Sequence, residues 1–162
     1  MNAQQLFLTF FNTGHSPKYP TVVASTVALL IGVALLIFFG METLFMLTLA
    51  VSIIGIFEIN KYRQNNDADT HSIVIDKVAG VWLSLMIALS TALTLPYPYA
   101  EALGTLLSLL SFTLFDIWKP STIGWINREV TGGLGKMMAT ILSGIAGGLF
   151  SAIILMGVAK LF

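Results

Sequence analysis

The chain contains no cysteine and has two histidines among its 162 residues. The absence of cysteine excludes a disulfide framework, a thiolate nucleophile and a zinc site built on cysteine ligands, and two histidines disfavour any other zinc site. Charge is also scarce, because 10% of the residues are charged against roughly 25% in soluble domains. The net charge is zero, which removes the broad basic field of a nucleic-acid-binding protein. We therefore expect no nucleic-acid partner.

Apolar residues are abundant instead, at 56% of the chain, which is too many for a single water-soluble core. A helix needs about 20 apolar residues to cross about 30 Å of hydrocarbon. Five stretches reach or approach that length, so the sequence predicts an all-α integral membrane protein with about five transmembrane helices in a single domain, residues 1–162. The predicted spans are residues 21–39, 43–59, 78–95, 102–118 and 137–162.

A short apolar segment precedes the first predicted span. Leu6 with Phe10, and Phe7 with Phe11, are pairs of apolar residues four positions apart, which is the spacing of neighbours on one helix face. This spacing predicts a short N-terminal helix that lies at the membrane interface. A frayed apolar start to the first span is the alternative.

Two further patterns concern the second half of the chain. Ile123, Ile126 and Val130 recur at helical spacing, which predicts an amphipathic helix on the membrane surface. Within the last span, small residues between positions 143 and 151 lie four apart. That spacing lets membrane helices approach closely, so it predicts helix packing.

The lysines and arginines predict how the chain is oriented, because positive residues in short loops stay on the cytoplasmic side. With five spans and a cytoplasmic N-terminus, Lys160 is the one positive residue outside, and Glu42 and Glu101 are the acids outside. The polar site is therefore expected on the cytoplasmic face. The positive residues predicted on that face are Lys18, Lys61, Arg63, Lys77, Lys119, Arg128 and Lys136.

Three polar segments are expected to meet on the inner face, at residues 13–20, 58–77 and 116–136. Asp76 lies at the predicted membrane boundary, where an acid must be solvated, paired or bound to a cation. A metal ligand and an ion pair with Lys77 are both open at this point. A glycine-rich run from Gly132 precedes the last predicted span, and such a run either approaches a phosphate closely or forms a plain turn.

Four ordered motifs carry a resemblance to a known family. The motifs are Gly14, Ser16, Pro17 and Pro20; Ile73 to Gly80, preceded by His71; Phe112 to Pro120; and Gly132 to Gly144. With these motifs the chain resembles the phosphatidylglycerophosphatase A family, bacterial inner-membrane enzymes that use Mg²⁺ to convert phosphatidylglycerophosphate to phosphatidylglycerol. The match runs from about residue 6 to the end.

The resemblance implies a set of functional residues and an anionic phospholipid substrate in the bacterial inner membrane. Asp76 and Asp116 are implied as the ligands of Mg²⁺ and, with His71, as catalytic residues. The residues that the resemblance implies for substrate or phosphate binding are Ser16, Lys119, Gly132, Gly133 and Gly135.

Four positions depart from the family pattern and make the site more positive by three charges. Lys77 stands where the pattern has Glu, Ala139 and Thr140 where it has two Asp, and Thr113 where it has Arg. Two acids with water and substrate oxygens could still hold Mg²⁺. Alternatively, the Lys77 ammonium takes the place of the cation, giving an impaired or inactive homologue that binds anionic lipid or a partner protein. A small transporter is disfavoured, since no charged residue lies centrally in a predicted span.

Overall fold

The computed structural model describes residues 6–7, 9–11, 18–65, 74–118, 121–130 and 132–161, and these contain helices and turns but no β-strand. Apart from α5, each of the helices named below is long and apolar enough to cross a membrane. This confirms the predicted all-α membrane fold. The helices are α1 (Pro20–Phe39), α2 (Met41–Asn65), α3 (Ile75–Ala92), α4 (Ala100–Trp118), α5 (Ser121–Glu129) and α6 (Gly132–Leu161).

The first two helices form a tighter hairpin than the sequence predicts. Gly40 alone separates α1 from α2, and its φ of 89° lies in the left-handed region that glycine adopts without strain. Its backbone N–H donates to the carbonyl oxygen of Leu36 at 3.1 Å, which closes the last turn of α1. The predicted linker had two further residues, which instead form the first turn of α2.

Helix α3 lies at the centre of the bundle. In its spanning segment 72% of the residues are buried inside the protein, against 28% in α1 and in α2, and it packs against α1, α2, α4 and α6. It begins at Ile75, about one turn earlier than predicted. Asp76 and Lys77 therefore lie inside its first turn and are buried, whereas the sequence analysis placed them in the preceding loop. An acid is favourable there, because the N-terminal end of a helix carries partial positive charge.

The small residues of α6 pack as predicted. A Cβ atom added at Gly144 would collide with the backbone carbonyl of Gly80 on α3. Further along, the Ser151 hydroxyl lies 3.1 Å from the Ser111 hydroxyl on α4. These contacts confirm that the small residues serve close packing of α6 against both neighbours.

The predicted N-terminal interfacial helix is described in part. Leu6 and Phe7 are helical, but Phe10 and Phe11 have φ of 48° and 53°, so the helical path does not continue through them. Phe10 is buried in the core while Leu6 and Phe11 are exposed. The predicted pairing of Leu6 with Phe10 and of Phe7 with Phe11 on common faces is therefore wrong. The predicted surface helix is confirmed as α5, whose Ile123 is buried while Arg128 is exposed.

Candidate functional site

The polar site lies where three helices meet at the predicted inner end of the bundle. The chain runs away from this end along α3, returns to it along α4, and leaves it again along α6. The first turn of α3 carries Asp76 and Lys77, the last turn of α4 carries Asp116, and Thr140 follows two turns into α6. Residues that are 64 positions apart in the sequence thereby come into contact.

Lys77 bridges the two acids that the family resemblance singles out. Its Nζ lies 2.9 Å from Oδ2 of Asp76 and 3.0 Å from Oδ1 of Asp116. The three side chains are almost fully buried, with exposed fractions of 8% for Lys77, 0% for Asp76 and 4% for Asp116. One ammonium therefore ties α3 to α4 and balances part of the charge of both carboxylates. We refer to these three residues as the ion triad.

Thr140 extends the ion triad onto α6. Its hydroxyl lies 2.6 Å from Oδ2 of Asp76, to which it can donate, and 3.1 Å from the backbone carbonyl oxygen of Lys136. The other carboxylate oxygen of Asp76, Oδ1, is buried and has no hydrogen-bond partner among the residues that the structure describes.

The side chains around the ion triad do not fit Mg²⁺. This ion takes six oxygen ligands at about 2.0–2.1 Å, whereas a lysine ammonium has no lone pair to offer. Lys77 lies within hydrogen-bond distance of both carboxylates, and its positive charge repels a divalent cation. Within the described ranges, no group of three or more Asp, Glu, His or Cys side chains could hold a metal ion.

The glycine-rich run forms the first turn of α6, whereas the sequence predicts a turn that precedes this helix. The N–H of Gly133 donates to the side-chain oxygen of Asn60 on α2 at 2.7 Å, so this amide caps the helix start. Added Cβ atoms at Gly133 and Gly135 would collide with the backbone carbonyls of Ile56 and Val130. Glycine here permits close packing, and Asn60 satisfies one of the N–H groups that a helix start leaves without a partner in the helix. No sequence spacing connects residue 60 with residue 133, so Asn60 was missed.

Ala139 and Thr113 are two further positions at which the chain departs from the family pattern. Ala139 is buried and adjoins Thr140 on α6. Thr113 lines an apolar groove on the exterior of the helix bundle, together with Val22 of α1 and Trp118 of α4. The predicted site residues Ser16, His71 and Lys119 lie outside the residues that the structure describes.

Comparison with known proteins adds evidence that is independent of this geometry. The chain matches the phosphatidylglycerophosphatase A family over residues 6–156. It is 31% identical over 146 residues to phosphatidylglycerophosphatase A of Escherichia coli strain K12, covering 89% of this chain and 78% of the relative. It is 29% identical over 141 residues to a putative phosphatidylinositol-3-phosphatase of Bacteroides thetaiotaomicron, covering 85% of this chain and 84% of the relative. No solved structure matches.

Proposed function

The chain belongs to the phosphatidylglycerophosphatase A family, and from that membership we propose that it hydrolyses the terminal phosphate of phosphatidylglycerophosphate to give phosphatidylglycerol in phospholipid biosynthesis. The observation that carries this proposal is the family match over residues 6–156. Both relatives are named as phosphatases of phosphorylated phosphatidyl lipids. The substrate class is therefore an anionic phospholipid with a phosphate monoester in its head group.

We propose that the protein lies in the bacterial inner membrane, with its N-terminus and ion triad facing the cytoplasm. The distribution of lysine and arginine supports this orientation, because positive residues in short loops are retained on that side. In this arrangement the acyl chains of the substrate lie against the apolar outer surfaces of the helices. The phosphorylated head group lies at the inner ends of α3, α4 and α6.

The described side chains can supply one need of phosphate-monoester hydrolysis, which is neutralisation of the charge on the phosphoryl oxygens. Because Mg²⁺ does not fit these side chains and Lys77 is already shared by two carboxylates, the neutralising charge in this proposal is the ammonium of Lys136, one turn before Thr140 on α6. Asp116 holds Lys77 in place.

Outside the described residues, the family resemblance supplies three further candidates. We propose His71 as a catalytic residue and Ser16 and Lys119 as phosphate-binding residues, on the motifs that contain them. Gly132, Gly133 and Gly135 have a different role in this proposal, because their close packing places the start of α6 beside the ion triad.

A second candidate function is binding of the same anionic lipid without turnover. The observation that favours it is the pairing of Lys77 with both carboxylates, 2.9 and 3.0 Å away. Acids that are held by an internal ammonium are less available to a metal ion or a water molecule. In this case the protein retains the fold and the head-group site of a lipid phosphatase but hydrolyses its substrate slowly or not at all.

The test is incubation of the purified protein in detergent micelles with phosphatidylglycerophosphate, and in parallel with phosphatidylinositol 3-phosphate. Inorganic phosphate is measured, and the lipid product is identified by mass spectrometry. We expect phosphatidylglycerol to form above the protein-free control. The D116N variant should lose this activity, whereas E101Q should keep it, because Glu101 is an exposed acid at the other end of the same helix.

The two lipid substrates and a measurement of lipid binding separate the two candidate functions. If phosphate is released only from phosphatidylinositol 3-phosphate, that lipid replaces phosphatidylglycerophosphate as the proposed substrate. Lipid that binds to the wild type but not to D116N, with no phosphate released, would establish the second candidate. If the protein neither binds nor hydrolyses either lipid, both candidate functions are contradicted.

A further inference from the structure

We infer that Lys77 is a built-in counter-ion, whose ammonium permanently occupies the cation position between Asp76 and Asp116, so that this chain does not bind a divalent metal ion there. The inference rests on the proposed function to the extent that both concern one site, since it specifies which cation that site uses. It is argued from the ion triad itself, and its test requires no turnover.

The ammonium of Lys77 bridges two helices. Lys77 and Asp76 are neighbours on α3, but Asp116 is contributed by α4, and the ammonium lies within 3.0 Å of an oxygen of each. Both carboxylates are buried. Two buried carboxylates that share one small site cannot both stay ionised unless a cation lies between them. Lys77 supplies that cation from within the chain.

The side chains beside this bridge come from α6. The hydroxyl of Thr140 already lies 2.6 Å from Asp76 Oδ2, and the adjacent buried residue on α6 is Ala139, which has no ligand atom. No described residue donates a hydrogen bond to Oδ1 of Asp76. A carboxylate oxygen beside a fixed ammonium is a poor ligand for a doubly charged ion, because the ammonium repels that ion.

A consequence concerns the charge of the site. A metal-dependent acid pair changes its net charge when the ion binds or leaves, whereas an internal ammonium keeps the charge constant. The contact between α3 and α4 at the inner end is then independent of the concentration of divalent ions. The stability of the wild-type protein should therefore not respond to Mg²⁺ beyond the effect of ionic strength.

The experiment measures metal binding directly. Binding of Mn²⁺ to the wild type and to K77E in detergent is followed by electron paramagnetic resonance. Melting temperatures are compared with and without millimolar Mg²⁺, and NaCl is used to match ionic strength. We expect no bound Mn²⁺ and no Mg²⁺-dependent melting shift in the wild type. In K77E we expect bound Mn²⁺ and a melting temperature that Mg²⁺ raises by several degrees, since a ligand that binds the folded state stabilises it.

Controls keep the test decisive when K77E does not fold. K77Q removes the charge with a shorter polar side chain, and the wild-type measurement decides the main point without any variant. Mn²⁺ bound by the wild type and lost in D116N would overturn the inference. Folded K77E and K77Q that both bind no Mn²⁺ would overturn it too, because the two carboxylates would then not form a cation position. None of these results depends on phosphate release, so failure of this inference can be distinguished from failure of the proposed function.

Discussion

At the scale of single residues, the ion triad is costly to disturb, because its three charged side chains are buried. A buried ion pair is worth little net free energy, because desolvation of both ions offsets their attraction. Removal of one partner is different, since it leaves a buried charge without compensation. Removal of the Lys77 ammonium would leave two buried carboxylates without their counter-ion, because both lie within 3.0 Å of it.

We therefore predict that K77M lowers the free energy of unfolding by about 3–5 kcal/mol. Neutralising the acids as well, in K77M/D76N/D116N, should restore most of that loss, because no uncompensated charge then remains. The measurement is reversible unfolding in mixed micelles. A K77M protein as stable as the wild type would show that the ammonium does not hold the acids in place.

How far the sequence predicts this site depends on how far apart its residues lie along the chain. Asp76 and Lys77 are adjacent, so the sequence alone suggests that they pair and that Lys77 replaces a cation. The contribution of Asp116 follows from the return of α4 to the same end of the bundle. The hydrogen bond from Thr140 to Asp76 and the cap from Asn60 to Gly133 depend on helix rotation, which no sequence period specifies.

At the scale of helices, the glycine face of α6 decides how closely α3 and α6 pack. Gly144 lies against the backbone carbonyl of Gly80, whereas Gly157 on the same helix has no atom within 4 Å of an added Cβ. A collision with backbone is difficult to relieve, because a side chain can rotate away but the backbone of a packed helix cannot. The two glycines therefore form a matched pair for substitution.

We predict that G144A destabilises the protein by about 1–3 kcal/mol, the usual cost of overpacking a well-packed interface. G157A should be neutral or slightly stabilising, since alanine is the better helix former by about 1 kcal/mol in water. Unfolding in the same micelles measures both. Equal effects of the two substitutions would contradict the packing role of Gly144.

Helix boundaries show where sequence reasoning stops. Apolar length predicts the number of spans and their approximate positions, because the membrane thickness sets a requirement that is independent of packing. The end of α2 was placed too early, at residue 59 instead of Asn65, and the starts of α3 and α6 were placed too late. In α3 the charged first turn is buried because its charges are paired, and in α6 the glycines form a helix because neighbouring backbone leaves no room for a Cβ.

At the scale of the whole molecule, the orientation in the membrane is open to a direct test. The chain has no cysteine, so every introduced cysteine is a unique label site. Pro98, between α3 and α4, and Arg128, on α5, are both exposed. We predict that P98C reacts with a membrane-impermeant maleimide from outside the cell, and that R128C reacts after the cytoplasmic side is made accessible. The reverse labelling pattern would place the ion triad on the outer face.

The whole account depends on the claim that a lysine takes the place of a metal ion in a lipid-phosphatase fold. The most direct measurement is the rate of phosphate release from phosphatidylglycerophosphate, in Mg²⁺ and in chelator, by the wild type and by K77E/A139D/T140D. We predict that the wild-type rate is the same in both conditions. The variant should be at least about tenfold faster in Mg²⁺ than in chelator, because a bound metal ion stabilises transition-state charge by several kcal/mol. A wild-type rate that requires Mg²⁺ as strongly as the variant's would contradict the account.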